Sequence, residues 1–291
     1  MNIRLIFKTL RRFKWLVIFL VISLAILTIA NSKTSEQLEV DFLDVGQGDA
    51  IFIKTPLNQK ILIDGGPDNQ VLEELGRFLS WRDRSIDLVI LTHPHADHLL
   101  GLIEVLKRYQ VKQLMLTGVS YENQSYQYFL NLAQQKNISK IIISGPKLLD
   151  FGPNCSLTII YPQEDILGIS VKKLNNSSII SQLNCLGHKF LFMGDSEIET
   201  EKKLLGLSVD LHSEVLKVGH HGSKTASTLE FLQSVTPDLA VIEVGKNNQF
   251  SHPATSTLDN LNNLGINVWR TDLNQTLQVI GNEAGLYYKN P

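Results

Sequence analysis

The sequence predicts an α/β fold, a four-layer αββα sandwich preceded by one N-terminal hydrophobic helix. Three observations carry that expectation. An apolar run follows a basic head; short β-rich runs alternate with helical patterns through two strand-rich halves; and a histidine-rich segment joins a buried strand to a helix. Periodicity alone leaves other α/β layerings open, and the motifs select among them. The chain has 291 residues, 43% of them hydrophobic, enough for one large core or at most two small ones.

Residues 1–30 carry Arg4, Lys8, Arg11, Arg12 and Lys14 and no acid. The 16 residues Trp15–Ala30 are apolar except for Ser23 and Thr28. That length lies between a signal-peptide core, about 7–15 residues, and a membrane span of about 20. The basic flank predicts a cytoplasmic N-terminus and an exported body. The expected division is therefore a basic head and transmembrane signal anchor over 1–30, a linker over 31–37, and a folded body over 38–291. The alternative is a signal peptide cleaved after Thr28-Ile29-Ala30, which would leave a secreted body.

The body, residues 31–291, sets 22 Lys and Arg against 29 Asp and Glu, a net −7. This argues against a broad basic surface for nucleic acid, so any polyanion has to be held locally, by metals and a few lysines. Cys155 and Cys185 are the only cysteines and make neither a disulfide framework nor a Cys-x-x-Cys metal pair. Outside the cytoplasm one bridge is open to them; the plainer alternative is two buried free thiols.

In chain order, strands are expected over 40–45, 50–55 and 60–64, joined by tight turns, then a helix over 71–81. Asp87–Thr92 reads as a buried strand, 99–109 as a helix, 111–116 as a strand and 121–136 as a helix. The second half has strand signals at 156–161, 178–183, 189–193, 214–218, 239–244 and 267–270. Helices are expected at 197–205, 228–234 and 255–263.

The strongest signal is Thr92-His93-Pro94-His95-Ala96-Asp97-His98. Three imidazoles and a carboxylate within six residues suit Zn(II), Mn(II) or Fe(II). In an irregular loop, His93 and His95 can face one ion while Asp97 and His98 face another. Other ligands must come from elsewhere. Asp195 ends the strand in Phe192-Met193-Gly194-Asp195 and can bridge two cations about 3.5–4 Å apart; its plainer role is a helix cap. His220 and His221 follow the 214–218 strand, and one of them can complete the second site. Asp64 can orient a ligand histidine through the ring nitrogen away from the metal, or simply form a turn. His252 and Lys217 are the remaining candidates, with a helix-entry residue and an exposed strand lysine as the plain alternatives. His188 reads as a solvated turn residue, and His212 carries no signal.

His-x-His-x-Asp-His, a strand-terminal Asp before it, a Gly-Asp after it and a later His resemble the signature of the metallo-β-lactamase superfamily. Phe42-Leu43-Asp44-Val45-Gly46-Gln47-Gly48-Asp49-Ala50, Leu216-Lys217-Val218-Gly219-His220-His221-Gly222-Ser223 and Ser251-His252-Pro253 narrow the resemblance. Together they are similar to the C-terminal extracellular hydrolase domain of the ComEC family, the DNA-uptake channel proteins of naturally competent bacteria. The resemblance covers about residues 38–282 and implies the αββα sandwich of the metallo-β-lactamase fold. Two departures stand out. The chain has a single hydrophobic segment where that family has a multi-helix channel, so it resembles a stand-alone form. The interval Asn175-Asn176-Ser177-Ser178 also lacks the histidine that many superfamily members place between the His-rich segment and the bridging Asp. The first site is then left with His93, His95 and Asp195.

The resemblance implies one or two divalent cations, zinc or manganese, and hydrolysis by hydroxide generated on them. Asp97 would accept or shuttle a proton. His252, His220 and Lys217 would stabilise charge on a phosphoryl oxygen. The expected substrate is DNA or another phosphodiester. The rival readings are a cell-surface esterase on envelope phosphodiesters and a non-catalytic module that binds metal or DNA.

Overall fold

Alternation of side chains along the strands decides what each sheet can cover. The computed structural model describes residues 14–23 and 37–291. Residues 14–23 form a helix, α1, whose apolar side chains from Trp15 to Ile22 are exposed. Most of the anchor expected over 1–30, and the linker over 31–37 apart from Gln37, lie outside the described residues. No described helix is long and apolar enough to cross a membrane. The chain divides into a unit Met1–Ser35 and a unit Glu36–Pro291, the second of which contains both sheets.

The first sheet contains β1 (Leu38–Phe42), β2 (Ile51–Lys54), β3 (Lys60–Ile63), β4 (Ser85–Ile90), β5 (Gln110–Leu116), β6 (Ser139–Ile142), β14 (Leu277–Asn282) and β15 (Gly285–Lys289), in the order β15-β14-β1-β2-β3-β4-β5-β6. The second contains β7 (Lys147–Asp150), β8 (Cys155–Tyr161), β9 (Ile180–Cys185), β10 (His188–Phe192), β11 (Val215–Lys217), β12 (Leu239–Ile242) and β13 (Asn267–Arg270), in the order β13-β12-β11-β10-β9-β8-β7. Strands β3 to β6 are parallel to one another, as are β10 to β13, while the remaining pairings are antiparallel.

Period-two burial builds three apolar layers. Ile51, Ile53, Ile61, Ile63, Leu88 and Ile90 point inward and meet Leu157, Phe190, Phe192, Val215 and Val241 of the other sheet. Their alternates Phe52, Leu62 and Val89 face outward onto α2 (Gln70–Phe78), α3 (Ala96–Arg108) and α4 (Gln124–Gln135). Leu191, Leu216 and Ala240 do the same against α5 (Ile198–Leu205), α6 (Leu229–Val235) and α7 (Thr255–Asn263). Helices, sheet, sheet, helices is the αββα sandwich that the sequence predicts.

Several local expectations are corrected. The irregular loop expected around Asp97 and His98 is the first turn of α3, with His95 as its N-cap. Strands β6, β7, β14 and β15 and the short helix α8 (Thr271–Asn274) had no sequence signal strong enough to mark them. Cys155 and Cys185 are bridged, tying directly opposed positions of β8 and β9. His188 is not a solvated turn residue. It opens β10, and its ring joins Glu214 (3.0 Å) to the backbone oxygen of Asn282 in the other sheet (2.9 Å).

Candidate metal centre

Five segments reach one point from the carboxyl ends of parallel strands, where loops of open α/β sheets gather ligands. Asp64 follows β3, the His93–His98 segment follows β4, Asp195 follows β10, His221 follows β11 and Glu243 follows β12. Two glycines let the segments close. A Cβ on Gly101 of α3 would lie 1.7 Å from the Gly65 oxygen, and one on Gly48 would lie 2.2 Å from the Asp97 oxygen. Neither approach tolerates a side chain.

Asp195 is the common member of two potential ligand sets: His93, His95 and Asp195; and Asp97, His98, Asp195 and His221. Its Oδ2 lies 3.8 Å from His93 Nε2 and 3.3 Å from His98 Nε2, and its Oδ1 lies 3.5 Å from His221 Nε2. His221 Nε2 is 3.4 Å from Asp97 Oδ2. His93 Nε2 faces His95 Nδ1 at 3.0 Å. Although buried, Asp195 Oδ1, His98 Nε2 and His221 Nε2 have no hydrogen-bond partner among the described residues. Buried polar atoms without partners are costly. Three of them, all imidazole nitrogen or carboxylate oxygen and converging on one space, suit a divalent cation.

The far sides of the rings are held. Asp64 Oδ2 sits 2.8 Å from His98 Nδ1 and accepts the Thr92 hydroxyl at 2.6 Å, while its Oδ1 accepts the Thr92 amide at 2.8 Å. His221 Nδ1 lies 2.9 Å from the Glu243 backbone oxygen and 3.1 Å from Asp49 Oδ1. Such contacts fix which nitrogen is presented inward.

Charge follows the same geometry. Burial works against charge on His98, yet the carboxylates of Asp195, Asp64 and Asp97 outweigh it and lift its pKa well above the ordinary value. The same contest raises His221, through Asp195 and Asp49. Burial would raise Asp195 too, but His221 and His98 carry it well below the carboxylate range. His93 goes the other way, pushed down by burial and by its neighbour His98. Burial, with His220 and His221 nearby, pushes His252 down to about 4, so its ring is neutral at neutral pH.

Two expectations change. Of the adjacent pair, His221 is in a ligand set and His220 is in neither. The His220 ring is 24% exposed, 4.0 Å from Asp195, and lies between Asn175, Thr225 and Glu197. It forms an edge contact with His252, at 5.5 Å between centroids, so these two rings stand together at the rim. Lys217 is neither exposed nor free to meet a phosphoryl oxygen. It shares the inward face of β11 with Val215, is 0% exposed, and its ammonium bonds Asp49 and the Val218 carbonyl (3.1 Å).

The interval lacking a histidine is a 3-10 turn, Leu174–Ser177, folded over the first ligand set. The Ser178 hydroxyl lies 3.3 Å from His93 Nδ1 and accepts the Asp195 amide at 3.2 Å. Sequence reading missed Asp49 and Glu243. Asp49 stands in a motif already singled out. Glu243 is a charged residue ending an apolar strand, fully buried, with its pKa driven well up by burial and by Asp49.

The family model for the metallo-beta-lactamase superfamily matches residues 43–245. The chain is 30% identical over 261 residues to ComE operon protein 3 of Bacillus subtilis, covering 84% of this chain and 33% of that protein. It is 27% identical over 249 residues to the competence protein ComA of Neisseria gonorrhoeae, covering 81% and 31%. It thus spans about a third of the length of these curated relatives. Among solved structures, the metallo-beta-lactamase fold protein YhfI of Bacillus subtilis superposes with a TM-score of 0.55 at 12% identity, covering 84% of this chain and 99% of that one.

Proposed function

The chain belongs to the metallo-β-lactamase superfamily and is a metal-dependent hydrolase related to the competence proteins; from that premise we propose that it is a phosphodiesterase that cuts DNA outside the cytoplasm. The observation that carries this reading is the pair of ligand sets sharing Asp195. Paired divalent cations make water acidic enough to attack near neutral pH and neutralise the charge of an in-line displacement at phosphorus.

The residues divide the remaining work. His93, His95 and Asp195 would hold one ion, and Asp97, His98, Asp195 and His221 the other. Asp64 keeps the Nε2 of His98 turned inward. Asp97, the most exposed of the clustered carboxylates at 28%, is placed to take a proton from water. Neutral His252, beside His220 at the rim, is placed to donate an N–H to a phosphoryl oxygen. Choice of zinc or manganese depends on supply as much as on donors, because mixed imidazole and carboxylate sets suit both. DNA as substrate is favoured by the competence relatives. The acidic body, net −7, favours a second reading, hydrolysis of envelope phosphodiesters.

Export is supported by the basic head before Trp15, by the exposed apolar side chains of α1 and by the Cys155–Cys185 bridge. The proposed anchor is residues 1–30, with 38–291 as the catalytic body. The deciding experiment is an assay of the full-length protein in detergent, stripped of metal and reloaded with Mn(II) or Zn(II), against DNA and against polyglycerol phosphate. Metal-dependent DNA cleavage is expected. Hydrolysis of polyglycerol phosphate alone would select the second reading, and protease resistance of the body on intact cells would overturn the export.

A further inference from the structure

Beside the metal centre the acidic body carries a local cluster of positive charge. A groove of about 600 Å³ runs between α5 and the segment that follows β8. Its lining includes Lys172, Lys173, Lys202 and Lys203, all exposed, against Glu164 and Glu199. That is a local excess of two positive charges on a body of net −7.

The lysines are not equivalent. Lys173 is paired with Glu197 (3.3 Å) and Glu199. Lys203 donates to the Tyr161 hydroxyl at 3.2 Å, above a floor that includes Pro162 and Leu207. Lys172 and Lys202 have no ion pair among the described residues, so both ammonium groups are available to an incoming anion.

The groove and the metal centre share one wall. In the Leu174–Ser177 turn, the Asn175 amide touches the His220 ring at 3.3 Å. The next residue, Asn176, lines the groove and is fixed there, accepting the Glu197 amide and the Thr200 hydroxyl, each at 3.0 Å. A polyanion with one phosphate at the ions thus meets the groove one residue of turn away. Lysines above a partly apolar floor match a single-stranded sugar–phosphate chain, whose charge repeats and whose bases are flat and partly apolar.

We propose that this groove is the polymer-binding subsite of the enzyme: it holds the single-stranded nucleic-acid backbone next to the scissile phosphate, with Lys172 and Lys202 as the phosphate contacts. The proposal rests on the phosphodiesterase reading and names where its substrate continues. These lysines are binding residues remote from the reacting atoms, so they govern polymers and not small diesters.

The test compares the full-length manganese-loaded protein with its Lys172→Ala/Lys202→Ala variant. The substrates are a fluorescent single-stranded oligonucleotide and bis(p-nitrophenyl) phosphate. A Lys136→Ala/Lys140→Ala variant, on the layers of the other sheet, removes the same charge elsewhere. Each single-strand contact contributes a salt slope of about 0.7, or roughly fivefold at 0.1 M salt. The groove variant should lose about 25-fold in kcat/KM on the oligonucleotide, through KM, and its salt slope should fall by about 1.4. Its rate on the small diester, and both rates of the control, should not change. Equal losses on both substrates, no loss on either, or the same loss in the control would overturn the groove. Oligonucleotide binding by fluorescence anisotropy separates the two readings. Wild-type binding that is lysine-dependent but without cleavage would sink the nuclease and keep the groove. Lysine-dependent binding of polyglycerol phosphate but not of oligonucleotide would overturn the occupant.

Discussion

Replacing Lys217 by methionine removes one half of an ion pair sealed between the two sheets. Lys217 is 0% exposed and Asp49 is 2% exposed, so water cannot take over either partner. Burial alone would push the lysine pKa down, but Asp49 and Glu243 more than compensate and raise it. Deleting one partner of such a pair costs about 3–5 kcal/mol, because the other charge is stranded. Here the lower end applies, since Asp49 keeps His221 at 3.1 Å. For a body of this size, about 3 kcal/mol corresponds to a Tm loss of roughly 6–12 °C. The double variant Asp49→Asn/Lys217→Met strands no charge, and the side-chain amide that replaces the carboxylate still offers an oxygen to His221. It should recover part of the loss, so the two substitutions are non-additive. Thermal unfolding of the three variants, read by circular dichroism, measures this. A Lys217→Met protein with wild-type Tm and lost turnover would refute the reasoning and return Lys217 to the substrate.

Asp195→Ala should lose both ions and all hydrolysis, because Asp195 touches both ligand sets; metal analysis that still finds two tightly held ions would contradict this. His252→Ala should keep its metal and lose about 10²–10³ in kcat, the usual cost of one charge-stabilising donor; loss of metal along with activity would make it a ligand. Metal titration should find unequal sites, the three-residue set weaker than the four-residue set and emptied first by chelator, and saturation at 100 times Kd should add about 2.7 kcal/mol of stability. Two sites of equal affinity would show that a further group completes the first.

The inner strands were legible because both faces of each are apolar or cleanly alternating; β4 and β10 show this best. The edges were not. Strands β6 and β7 read Ser-Lys-Ile-Ile and Lys-Leu-Leu-Asp, largely exposed edge segments with no clean alternation, one paired with β5 across the intervening α4 and the other with β8 through a short turn. At the site, the His93–His98 segment was legible because its chemistry is concentrated in six residues. Lys217 and Asp49 were not, because they are 168 residues apart and only the packing of the two sheets makes them a pair. The choice between His220 and His221 was equally hidden. Both have positive φ, 48° and 52°, and the tight turn sends one ring inward and its neighbour to the rim.

The ligand sets draw on both sheets, with His93, His95, Asp97 and His98 from one half of the chain and Asp195 and His221 from the other. An ion placed there is a rivet through the middle of the sandwich. It cannot be set until both plates are formed and aligned, because the unfolded chain holds its donors about a hundred residues apart. The complete ligand sets therefore form only as the two sheets align, so metal binding and the final folding of the body are coupled. Wherever the body completes its folding, the metals dissolved in that compartment are the ones it has to choose from.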